Sequence, residues 1–187
     1  MVDFVMNMRL PTLHRWRQRG LLAGALLLSF AAPACAYAAE RASVEAAIVY
    51  NILLFAQWPG EDTMAVDAPL VLCLDSNSPL FAVARQLDGH ALRRMKLSVQ
   101  SLDAGAGRCQ ALYEDSSSSQ KVAQTLAGST NPVLVISGSG FEASEPPTVQ
   151  LFEQDGRLAF DISQHKARQA GLQVSSKLLR LARKVVE

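Results

Sequence analysis

The chain has 187 residues, a formal net charge of +1 and 49% hydrophobic residues. That is enough for one domain with a real core. The near-neutral charge excludes a protein that binds nucleic acid through a strong basic field, and three cysteines without a C-x-x-C spacing argue against a zinc site.

Residues 1–38 read as an export signal. Arg9, Arg15, Arg17 and Arg19 make a positive start, and an apolar run follows from Leu21 to Ala32. Ala34-Cys35-Ala36 and Ala36-Tyr37-Ala38 both fit an A-x-A cleavage site. A bilayer span needs about 20 apolar residues, so this run is short for an anchor. The expectation is cleavage after Ala38, which leaves a slightly acidic domain, residues 39–187, in the periplasm. An uncleaved anchor and a lipoprotein acylated at Cys35 are the alternatives.

Ser43 can cap a helix that runs to about Gln57, with Glu45 in its first turn, where a negative charge suits the helix dipole. Val44, Ala47, Ile48, Ile52 and Phe55 share one face at helical spacing. The opposite side, with Ala46, Val49, Tyr50, Leu53 and Leu54, is also apolar. A helix apolar all round must be covered on both sides. One side can rest on the chain's own sheet; the other asks for a second layer, a second copy or a partner protein. Tyr50, Leu53, Leu54 and Gln57 are the candidate contact residues. Trp58-Pro59 ends the helix.

Pro69 opens a strand, Leu70 to Leu74. Asp75 to Ser78 turns the chain into a helix from Pro79 to about Leu87, with Gly89 just past its end. Lys96 to Leu102 alternates as a half-buried strand does. Gln110 to Tyr113 is a short strand, and the Ser116–Ser119 tract caps a helix through Ala127. Pro132 to Ile136 is the continuous apolar run of a strand in a parallel sheet covered on both faces. Thr148 to Glu153 and Arg157 to Ile162 alternate around Gln154-Asp155-Gly156, a hairpin signal. Ser163 or Gln164 starts a helix to Ala170, and Leu172 to Val174 is an extended link. Ser175 or Ser176 caps a last helix through Lys184. Its Leu178, Leu181, Ala182 and Val185 can face the core, while Lys177, Arg180, Arg183 and Lys184 form a positive flank. Those cations either complement the helix C-terminus or meet an acidic patch on a partner. The expected fold class is α/β: one layered domain with a mainly parallel sheet flanked by helices, a late β-hairpin and a C-terminal helix.

Cys73 and Cys109 remain after cleavage. In an oxidising compartment they most simply pair with each other; two buried thiols are the alternative. Chemistry has few candidates. Ser137-Gly138-Ser139-Gly140 follows an apolar strand, but a nucleophile elbow needs Gly at the positions held by Ser137 and Phe141. No Gly-Lys-Ser/Thr follows for a phosphate loop. His165 and Asp161 pair only if both lie on one helix, and His90 sits in a turn. The residues thus point to no catalytic, metal or cofactor site. A small-ligand module using the loops Asp75–Ser78 and Ser137–Gly140 is the first competing reading. A hydrolase using Ser139 is the second.

Specific stretches carry a family resemblance. The opening helix from Ala47 to Pro59 (AIVYNILLFAQWP) resembles that of the YfiR family of periplasmic proteins, as does Leu70-Val71-Leu72-Cys73-Leu74. Gly156 to Ile162 (GRLAFDI) is similar to the family's late strand. The most specific match is Ala167 to Ala182 (ARQAGLQVSSKLLRLA). The resemblance spans essentially all of residues 39–187. It implies a non-enzymatic α/β domain that represses an inner-membrane diguanylate cyclase by binding its periplasmic region. It also implies relief by an outer-membrane, peptidoglycan-associated lipoprotein, and the pairing of Cys73 with Cys109. Two departures stand out. The family's best-known member has a second disulfide in its later half, where this chain has no cysteines. A Gly-Gly-Met-Ile-like stretch is replaced by Ser144-Glu145-Pro146-Pro147-Thr148. The functional expectation is a regulator of cyclic-di-GMP signalling and biofilm formation that acts by docking on the cyclase, with homodimerisation as the other way to cover the opening helix.

Overall fold

The longest helix, α1, runs Ala32–Phe55 in a computed structural model that describes residues 32–104 and 108–187. The export-signal reading falls outside these residues, apart from the backbone of 32–38. The chain divides between Ala39 and Glu40, and Glu40–Glu187 is the unit described here. Ser43 is not a cap, because the helix passes through it. The alanine-rich segment before it favours helix without one.

α1 buries Ala46, Val49, Ile52 and Leu53, and leaves Val44 and Ala47 exposed. The sequence-based choice of inner face is therefore largely reversed. Of that set only Ile52 is fully buried, while Ala46, Val49 and Leu53 come from the side read as outer. Leu53, with 0% exposure, is core and not a contact residue. Both sides are apolar, so periodicity could not choose between them. The choice falls on the stripe that also carries Glu45, which finds its partners in the sheet.

After α1 the chain forms a two-residue strand, β1 (Ala56–Gln57). Next come β2 (Pro69–Leu74), the single helical turn α2 (Phe81–Ala84), β3 (Ala91–Leu92), β4 (Met95–Ser101) and β5 (Ala111–Glu114). The second half holds α3 (Ser119–Ala127), β6 (Leu134–Ser137), β7 (Val149–Gln154), β8 (Arg157–Ser163), α4 (Gln164–Gln169), β9 (Gln173–Val174), α5 (Ser176–Leu181) and β10 (Lys184–Val186). One sheet runs β10-β8-β7-β6-β5-β2-β4-β3. Its strands pair in parallel except at β7–β8 and β3–β4. The expected α/β class with a mainly parallel sheet holds.

Each central strand feeds two cores. Leu70, Leu72, Leu74, Ala111 and Tyr113 pack with α1 on one face. Val71, Cys73 and Leu112 point the other way, toward Val122 of α3 and Cys109. Alternation along a strand places side chains on opposite faces, so the central positions of β2 and β5 must be apolar on both sides. The Asp-Gly hairpin also holds: Asp155 and Gly156 both take positive φ, 51° and 70°, as a type I′ turn requires.

The last segment differs from expectation. α5 stops at Leu181, and residues 184–186 form an edge strand parallel to β8. Leu178 is buried, but Leu181 is 62% exposed, so it does not face the core. The extended link at 172–174 pairs antiparallel with β1, Ala56 opposite Val174. This ties the end of α1 to the start of α5.

Cys73 and Cys109 form a disulfide across 36 residues of sequence on the α3 side of the sheet. Closing a loop of that length in the unfolded chain stabilises by about 4 kcal/mol at most. Replacing both cysteines by alanine is expected to lower the stability measured by urea unfolding by about 2–4 kcal/mol, with the far-UV spectrum of the folded protein unchanged.

Candidate functional site

The partner-facing residues expected from sequence split into two groups. Tyr50, Leu54 and Phe55 are half-buried on the flank of α1, and Gln57 is exposed in β1. Tyr50 donates its hydroxyl to the Ala91 carbonyl and meets His90 edge to face, ring centroids 6.2 Å apart. Arg93 caps the end of α1, donating to the Leu54 carbonyl and pairing with Glu61 at 2.6 Å. The Lys177 ammonium lies 4.9 Å from the centre of the Phe55 ring, a cation held over an aromatic face.

Lys177 and Arg180 are exposed on α5, where Leu181 lies one turn on from Lys177. Arg183 and Lys184 lie beyond the helix end. The four cations therefore do not form one helical flank. Arg183 is engaged by Asp161 and stacks over Phe152, 3.9 Å from the ring centre. This surface carries the half-buried Leu54 and Phe55, with Lys177 over the Phe55 ring, and α5 exposes Arg180 and Leu181.

Three carboxylates are buried among the described residues: Glu45, Asp75 and Glu114. Glu45 sits mid-helix and not in a first turn. Its Oε1 accepts from the Tyr113 hydroxyl at 2.8 Å and the Ser139 amide at 3.0 Å, and its Oε2 accepts from the Ser139 hydroxyl at 3.0 Å. Arg41 donates to the same hydroxyl and pairs with Glu153 at 2.7 Å. Gly138 is required here, because a Cβ would stand 2.2 Å from the Tyr113 oxygen. Burial, first, and then Glu45 push the Tyr113 phenol far above its usual range. The Ser137–Gly140 loop is thus a clamp that holds α1. The Ser139 hydroxyl is already committed to a carboxylate and a guanidinium. Sequence reasoning missed this role for Glu45. The available signal was an acid sharing a helical stripe with Val49 and Ile52.

Asp75 ends β2 beside the point where the chain crosses from one half of the sheet to the other. Its Oδ1 accepts from the Asn77 amide at 2.8 Å, and the Lys121 ammonium lies 2.6 Å from Oδ2. Lys121 also pairs with Asp103. The hydrogen bond from Lys121 leads the effects that lower both acids, Asp103 to about 2. The loops at Asp75–Ser78 and Ser137–Gly140 are each occupied by the protein's own groups. His165 is exposed on α4, and Asp161, in β8, is taken by Arg183. Among the described residues no group of three His, Cys, Asp or Glu could hold a metal ion. No described helix is long and apolar enough to cross a membrane.

A layered, mainly parallel sheet with one face under a long helix and a disulfide on the other defines an α/β domain. The family to which the chain belongs is the YfiR/HmsC-like family, whose model matches residues 42–183. No curated protein sequence matches the chain. Among solved structures it is similar to a conserved domain protein from Vibrio cholerae O1 biovar El Tor strain N16961. Identity is 10% and the TM-score 0.46, over 77% of this chain and 60% of that one.

Two outcomes are expected. Glu45→Ala strips acceptors from three donors and should cost about 2–4 kcal/mol in urea unfolding. Lys121→Met should lower the melting temperature at pH 7 by a few degrees. Because Asp75 and Asp103 have lowered folded pKa values, the stabilisation by Lys121 is complete above about pH 4. It is lost as pH falls toward 2. The gap between variant and native protein should close over that interval in a pH series of melting curves.

Proposed function

We propose that this protein is a periplasmic regulator that binds the periplasmic region of an inner-membrane diguanylate cyclase and holds it inactive. Membership of the YfiR/HmsC-like family supports the class. The observation that carries the docking role is the half-buried Leu54–Phe55 pair with Lys177 over the Phe55 ring, together with Leu181 exposed on the same helix as Lys177. Apolar area supplies the affinity at such a surface, and Lys177 and Arg180 set orientation and association rate toward an acidic partner. Repression is then a difference in affinity for two states of the cyclase. Moving that partner from nearly all active to nearly all inactive takes about 5.5 kcal/mol of difference. Release by an outer-membrane, peptidoglycan-associated lipoprotein works by competition for this protein. A second copy of the chain is the other candidate occupant of this surface.

The test uses the exported protein as bait on detergent-solubilised membranes. The expected capture is a transmembrane protein with a cytoplasmic diguanylate cyclase domain, and lower cellular cyclic-di-GMP when the regulator is present. Leu54→Glu and Lys177→Glu should each weaken that capture by about tenfold or more, a loss of 1.4 kcal/mol or more, with the fold intact. Leu53→Glu should unfold the domain, because Leu53 is core. Capture unchanged by both surface variants would remove this surface from the mechanism. No cyclase captured, with sedimentation showing a dimer that Leu54→Glu splits, would replace repression by self-association.

A further inference from the structure

A groove of about 730 Å³ lies between α3, the 144–148 loop and α4. It is separate from the α1–α5 surface and independent of the proposed repression. That volume is in the range of small-molecule sites. Val122, Val133, Val135 and Leu126 give it apolar walls, and Pro146 and Pro147 form the facing side. One buried charged group lines it: Glu114, at the end of β5 and 8% exposed.

Glu114 is the buried carboxylate that lines this groove. Glu45 accepts from three donors, and Asp75 has a lysine and an amide. Glu114 Oε2 accepts from the Ser137 hydroxyl at 3.1 Å. Among the described residues no donor reaches Oε1. A carboxylate with one neutral donor keeps acceptor capacity for a further one. Burial raises its pKa above the usual carboxylate value, against the lowering effect of the Ser137 hydrogen bond and with a further push from Asp115. The other charged groups lining the groove are Glu145 on the loop and Lys166 on α4. They are of opposite sign, so the unbalanced charge that an occupant meets is that of Glu114.

We propose that this groove binds a primary amine carried on a hydrocarbon body, with the ammonium bonded to Glu114 Oε1 and the hydrocarbon lying on the valine and proline walls. A charge-assisted bond in a half-closed apolar setting is the strongest contact the site can make. A neutral alcohol offers a weaker donor, and a carboxylate is repelled.

The experiment is calorimetric titration of the exported, disulfide-bonded protein with n-hexylamine, n-hexanol and hexanoate, with amide shifts mapped by NMR. The amine is expected to bind at one site, with shifts centred on α3, residues 144–148 and α4, and to bind at least tenfold more tightly than the other two. Glu114→Gln, which keeps the shape and an acceptor for Ser137, should weaken the amine at least tenfold. Ala123→Phe fills the groove from an exposed helix position and should do the same, even if the Glu114 variant fails to fold. Equal binding of amine and alcohol, no saturable binding, or amine binding unchanged in either folded variant overturns the proposal.

Discussion

The fold depends on the burial of one stripe of α1 on one face of the parallel strands. Ala46, Val49, Ile52 and Leu53 lie against the residues that β2 and β5 turn to that side. Fully burying a leucine or isoleucine contributes roughly 1.5–3 kcal/mol, so this contact is large compared with a domain's total stability of about 5–15 kcal/mol. Every other feature of interest is placed by it. It presents Leu54 and Phe55 at the flank, where β1 pairs with β9 and brings α5 alongside. It also carries Glu45 into reach of Tyr113 and Ser139.

The three buried carboxylates divide the labour of the C-terminal strand ends. Glu45 holds the helix to the β6 loop, and Asp75, through Lys121, holds α3 to the crossover point. Each is engaged by the chain's own charged or polar groups. Glu114 differs in that it lines a groove and accepts from the Ser137 hydroxyl.

The local elements were legible from sequence. Asp155-Gly156 specifies its own turn, Ser163 and Ser175 cap the helices that follow them, and Leu70–Leu74 reads as a strand buried on both faces. Errors arose where a residue's fate depends on distant chain. Leu53 and Leu54 are adjacent and chemically alike, yet one is core and the other half-exposed. Lys184-Val185-Val186 continues a helical pattern, but it pairs with β8, which lies some twenty residues earlier. A parallel pairing of that kind leaves no turn signal to read.

Composition and short-range pattern alone determined that this chain is an α/β layered domain with a late hairpin and an opening helix apolar on both sides. Those properties follow from backbone propensity, side-chain periodicity and turn geometry, which act over a few residues. Only the tertiary structure decided which side of that helix is core, that Glu45 clamps it to Ser139, that the basic residues near the C-terminus do not share one helix, and that Glu114 faces an apolar groove. Each of these rests on contacts between residues far apart in sequence, and burial and hydrogen bonding select among arrangements that local pattern leaves equal.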